Sequence, residues 1–279
     1  MPSPPAHFTQ SAAGEFLPTE YAVSRWGADH LHGPAIAGLA ARTLESAWGL
    51  ADFIPARLTV DLFRAARKVP TQVETSLVRD GRRVRNSGCE VVQDGVAVAR
   101  ATMVQYLRTE PPKGEEWAGT PDFHVPSGLD HDDRTVMGSD DAGWTHRVAD
   151  HQNASPKRMI YRTIDIVAGE ANTAFVRAVM VAEATSLVTN LGTEGIGYIN
   201  GDLTVALARL PLDQWAGVQA DSHWTAAGVA VGTGTLFDHA GAFGSAVITA
   251  LSNPAAHIDF TEIDDPYTGR HPSDMSSWT

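Results

Sequence analysis

Several absences narrow the reading of this 279-residue chain. It has one cysteine, Cys89, so no internal disulfide can form, and a reducing cytoplasmic setting is expected. No apolar run reaches the roughly 18 residues of a membrane span, and Met1 to Gly14 lacks the basic and apolar regions of a secretion signal. A Gly-x-Ser-x-Gly elbow, a phosphate loop and a dinucleotide fingerprint are all missing, which argues against serine hydrolases and nucleotide enzymes. The net charge of −12 argues against nucleic acid and anionic membranes as partners. Two basic clusters, Arg64/Arg67/Lys68 and Arg79/Arg82/Arg83/Arg85, read as solvated strand ends and turns.

What is present is a repeat. Leu58-Thr59-Val60-Asp61-Leu62 returns 145 residues later as Leu203-Thr204-Val205-Ala206-Leu207. At the same offset Val73-Glu74-Thr75 meets Val218-Gln219-Ala220, and after a one-residue slip Gly95 meets Gly241. Both stretches alternate polar and apolar residues and break at turns such as Asp80-Gly81 and Asp94-Gly95, the pattern of antiparallel hairpins. A helix precedes each group. Pro34 to Trp48 begins with proline in its first turn and stops at Gly49; Thr173 to Leu191 opens at Asn172 or Thr173 and stops at Gly192. Both helices are apolar almost all round, so both are expected to be buried. A further strand is expected ahead of each helix, over Phe16 to Trp26 and Met159 to Ile166. The repeated unit, one antiparallel sheet wrapped round one helix, is the hotdog architecture. The expected class is α+β, a double hotdog forming an internal pseudo-dimer. Residues 1–108 form the first half, 109–155 a surface linker, 156–254 the second half and 255–279 a tail.

The chain resembles the TesB-type, thioesterase-like double hotdog proteins, especially their actinobacterial branch. The resemblance runs from Glu15 to Pro254. It is carried by Pro18-Thr19, Trp26-Gly27, His32-Gly33-Pro34, Ala41-Arg42, Leu58 to Leu62 with Arg64, Val179-Met180-Val181, Asn190-Leu191-Gly192 and Ile199 to Thr204. It implies hydrolysis of acyl-CoA to free fatty acid and CoA, with no metal or organic cofactor. It also implies an acidic residue on the second helix, a hydroxyl or amide residue on the next strand and a Gln on the last strand, together holding the attacking water. Carried over by position, these become Glu183, Asn200 and either Ile248 or Thr249. No Gln stands at the third position, and Pro34 replaces the second glycine of the family's His-Gly-Gly element.

The residues support the same chemistry independently. Glu183 has Val179 and Met180 one helical turn back and Ser186 and Leu187 one turn on; a buried carboxylate there should have a raised pKa and suit a general base. Asn200 could hold the water or the thioester carbonyl, or simply cap a turn with Gly201. Thr249 is a candidate partner whose plainer role is a sheet-forming residue. His32, Gly33 and Ala35 open the first helix, where free N–H groups could bind substrate and stabilise an oxyanion; Pro34 supplies none. His30 and His32 lack a third metal ligand at suitable spacing, and Cys89 reads as a packed thiol. Two alternatives stay open: a catalytically impaired acyl-CoA-binding or scaffold protein of the same fold, or a hotdog enzyme of another reaction such as an enoyl hydratase. The whole chain is expected to form a homo-oligomer without integral membrane contact.

Overall fold

The computed structural model describes residues 5–24, 27, 29–117, 119, 123 and 135–262. Trp26, the acidic run Asp130-His131-Asp132-Asp133 and the tail beyond 262 lie outside the described residues.

The first half begins with β1 (Ala6–Ala12) and β2 (Glu15–Pro18). Helix α1 (Gly33–Trp48) follows, then β3 (Phe53–Leu62), β4 (Thr71–Asp80), β5 (Val84–Gln93) and β6 (Val96–Leu107). The stretch between the halves contains β7 (Val136–Ser139) and β8 (Gly143–Thr145), and the second half opens with β9 (Lys157–Arg162) and β10 (Asp165–Val167). Helices α2 (Ala174–Glu183) and α3 (Thr185–Asn190) come next. They lead to β11 (Tyr198–Asn200), β12 (Asp202–Leu207), β13 (Trp215–Ala226), β14 (Val229–Asp238) and β15 (Gly241–Ser252).

All fifteen strands join one sheet, in the order β10-β1-β2-β4-β5-β6-β3-β12-β15-β14-β13-β9-β7-β8, with β11 paired to β15. The two repeats meet edge to edge through antiparallel β3 and β12, where Leu58, Thr59 and Val60 lie opposite Val205, Thr204 and Leu203. That register sets Thr59 against its own counterpart, so the repeat is also a local two-fold axis. The β3 and β12 edges, each otherwise an open template for another strand, are thereby paired. The Asp94-Gly95 hairpin forms as expected, with positive φ at both residues (50° and 74°).

The helices pack against each other and against the sheet. Phe175, Ala178 and Val179 are fully buried, as are Ala35, Leu39 and Ala40. Gly38 permits the crossing: a Cβ there would lie 2.3 Å from Ile166 Cδ1 and 3.0 Å from Met180 Cγ.

Four expectations are corrected. The second helix is not continuous to Leu191. At Ala184 the N–H reaches back to Val181 O at 3.1 Å, a tighter i→i−3 bond that separates α2 from α3 and leaves Glu183 as the last residue of α2. The strand expected from Phe16 onward ends at Pro18, because Thr19 accepts a hydrogen bond from Tyr21 N and caps a short 3-10 helix at Glu20–Ala22. The strand expected over Met159 to Ile166 is two strands, β9 and β10. Arg85 is buried rather than solvated: its guanidinium donates to Asp80 Oδ1 and to Trp48 O, both at 2.7 Å. Within the stretch between the halves, β7 is buried along its length and pairs with β9.

Candidate active site

The break after Glu183 and the start of α1 come together. An ideal Cβ on Gly33 would lie 1.8 Å from Glu183 Oε1, so the carboxyl group occupies the space a side chain at 33 would take. Asn200, on β11, donates from Nδ2 to Glu183 Oε1 at 3.2 Å. The amide's other end is fixed by Ser186, whose hydroxyl donates to Asn200 Oδ1 at 2.6 Å. Ser186 stands three residues beyond Glu183, close to one helical turn, and its role was not foreseen in the sequence. A hydroxyl at i+3 from a candidate base was the available signal.

Burial pushes the Glu183 carboxyl up to about 8, and the Asn200 hydrogen bond only partly opposes that shift. Thr185, two residues on from Glu183, points elsewhere: its Oγ1 faces β14 near Gly234.

The other expected site residues separate. Thr249 donates its hydroxyl to Asp202, and its N–H bonds Asp202 Oδ1 at 2.9 Å. Its strand neighbours Ile248 and Ala250 are the buried ones, so Thr249 has the opposite parity on β15. Ala250, not Thr249, lies opposite Asn200 in the β11–β15 register. Ala35 N–H is already committed to His32 O at 3.1 Å, which corrects the expectation that it serves as a free donor. Gly33 N–H has no acceptor among the described residues. His32 turns its ring to Tyr21 O at 2.9 Å, and His7 Nδ1 approaches the same oxygen at 2.9 Å. The two rings meet edge to face, 4.7 Å apart. Burial lowers the pKa of both imidazoles, that of His7 to about 3. Cys89 is a buried thiol whose pKa desolvation raises to about 12.

The acyl-CoA thioesterase N-terminal domain matches residues 22–106, and the C-terminal domain of the same family matches 106–250. The chain belongs to the acyl-CoA thioesterase family. It is a thioester hydrolase. Among curated proteins none matches the sequence. Solved structures resemble this thioesterase in fold. A protein described as a thioesterase II from Thermobifida fusca superposes with a TM-score of 0.67 at 14% identity, covering 88% of this chain and 95% of that one. The acyl-CoA thioesterase II TesB2 of Mycobacterium marinum gives 0.58 at 16% identity, covering 88% and 94%. A hot dog fold protein of Alicyclobacillus acidocaldarius gives 0.62 at 16% identity, covering 88% and 95%. At such identities the similarity is one of fold. No helix among the described residues is long and apolar enough to cross a membrane.

Proposed function

We propose that this double hotdog thioesterase hydrolyses acyl-CoA at the junction of α1 and α2, with Glu183 as the general base. The contact between Glu183 and the Gly33 end of α1 carries the reading. It places a desolvated carboxylate beside an unused backbone N–H at a helix N-terminus.

Each part has a task in the reaction. Ionised Glu183 takes a proton from water as the water oxygen attacks the thioester carbonyl. Negative charge develops on the carbonyl oxygen, and Gly33 N–H is suited to receive it. The C–S bond then breaks, the thiolate of CoA takes up the proton, and the free acid remains. Asn200, aligned by Ser186, holds the carboxylate and can orient the water. His32 acts as a positioning residue: its ring fixes the turn that presents Gly33. Thr249, whose hydroxyl is bound to Asp202, supports the β12–β15 pairing below Asn200.

The deciding experiment is steady-state hydrolysis of acyl-CoAs of several chain lengths by the wild type and by Glu183→Gln. Loss of about 100-fold or more in kcat is expected, the usual contribution of a general base. Undiminished turnover in the variant would remove Glu183 from the mechanism. The presence of Ala250 where an amide partner could face Asn200 favours one second reading, an acyl-CoA-binding protein with an impaired site. Tight acyl-CoA binding by the wild type without thiol release would support it.

A further inference from the structure

Helices α1 and α2 meet end to end twice. Glu183 lies against Gly33 at one meeting. At the other, Thr173, the N-cap of α2, donates its hydroxyl to Glu45 Oε2 in the last turn of α1 at 2.5 Å. The internal repeat relates the two places. The helix starts, Gly33 and Ala174, are 141 residues apart, which sets Arg42 and Glu45 where Glu183 and Ser186 stand in the other half. The strands keep the 145-residue offset on both sides of the last hairpin, which corrects the slip expected at Gly95: Gln93 pairs with Val96 as Asp238 pairs with Gly241, and Thr59 with Thr102 as Thr204 with Val247. Pro55 pairs with Gln105 in one half as Asn200 pairs with Ala250 in the other. One backbone plan therefore carries two different sets of side chains.

The second junction opens on a cavity of about 540 Å³, within the roughly 300–1,000 Å³ usual for small-molecule sites. Leu50, Phe53, Val176 and Leu210 form its apolar wall, and Gln105, almost fully buried, lines it with an amide whose Nε2 donates to Trp48 O at 3.0 Å. Arg42 is held by Glu170, with Nε donating to Oε2 at 3.0 Å. Arg108, also at the cavity, is exposed and has no carboxylate partner among the described residues.

We propose that this cavity is a second binding site, distinct from the Glu183 site, for an aliphatic acyl group whose carbonyl or carboxyl head lies at the Gln105 and Thr173 end. The apolar wall takes the methylene chain, and Arg108 faces the anionic portion. The site retains its ligand rather than hydrolysing it. A guanidinium stands where the general base would be, and the Glu45 carboxyl is tied to Thr173. The choice of an acyl ligand rests on the acyl-CoA reading of the first site. Two molecules share this chemistry, the acyl-CoA and the free acid released from it.

Calorimetric titration of the full chain tests the proposal, with a non-hydrolysable acyl-CoA thioether in one arm and the free fatty acid of the same chain length in the other. Two equivalents are expected in the wild type for at least one of these ligands. Ser46→Trp, which introduces an indole into the cavity from an exposed position on α1, should leave one. Arg108→Glu should weaken the second equivalent about tenfold. A second equivalent of the thioether identifies bound substrate; a second equivalent of acid alone identifies bound product. A single equivalent unaffected by both substitutions, or no binding of either ligand, overturns the proposal. Failure of the first-site reading is separately visible: Glu183→Gln would keep full turnover while the equivalent sensitive to Ser46→Trp persisted.

Discussion

The Gly33 Cα and the Glu183 carboxyl group are packed so closely that one methyl group cannot be placed between them: a Cβ at position 33 would sit 1.8 Å from Oε1 and 2.4 Å from the carboxyl carbon. Gly33→Ala should therefore displace the carboxyl from Asn200 or push back the start of α1. Hydrolysis is expected to fall by at least about tenfold, through kcat more than KM, because misplacing a base raises the barrier to the chemical step. Unchanged kinetics in Gly33→Ala would show that this contact is not part of the reacting geometry.

The raised pKa of Glu183 gives a pH prediction. A general base works only when ionised, so kcat/KM should rise with pH and level off above an inflection near 8. The stability effect has the opposite sense. The folded-state pKa lies above the ordinary carboxyl value, so the folded chain holds this proton more tightly than the unfolded chain does. The group's stabilising contribution is complete below the unfolded pKa of about 4.5 and is lost as pH rises towards 8. Glu183→Gln should remove that loss and raise the melting temperature most at alkaline pH. Thermal denaturation of both proteins across this range measures it, and parallel curves would contradict a buried carboxyl.

Ser186 fixes Asn200 from the side away from Glu183. Ser186→Ala frees the Asn200 amide to rotate and leaves its oxygen without this donor. A loss of roughly 0.5–1.5 kcal/mol in transition-state stabilisation is expected, the usual worth of one hydrogen bond. The pH inflection should persist while kcat falls, since Glu183 remains buried. A shifted inflection with unchanged kcat would instead assign Ser186 to tuning the carboxyl.

His7 and His32 share the Tyr21 carbonyl in the interior. Their folded-state pKa values lie below the ordinary imidazole value, so the stability they contribute is present above about 6.5 and declines as pH falls below it. For His7 the decline continues to about 3. His7→Asn can keep a donor near Tyr21 O without the titrating ring, and it should flatten the acid limb of a stability–pH curve. Urea denaturation between neutral and acid pH tests this; an unaltered slope would place the acid sensitivity elsewhere.

The sequence by itself determined the repeated unit and its duplication. Alternation along Leu58 to Leu62 and Leu203 to Leu207 requires strands with one buried face, and Asp94-Gly95 dictates a hairpin. Helices as apolar as α1 and α2 have nowhere stable but the interior. Glu183 was legible for the same reason, as a lone carboxylate among Val179, Met180 and Leu187. Only the tertiary structure decided which polar groups meet it. Asn200 and Gly33 are separated from Glu183 by 17 and 150 positions, and their approach follows from the β3–β12 register and the crossing at Gly38. The parity of Thr249, the break at Ala184 and the commitment of Ala35 N–H depend on single backbone hydrogen bonds and on pairing register. Side-chain pattern does not encode such local choices; the packing of the assembled halves selects among them.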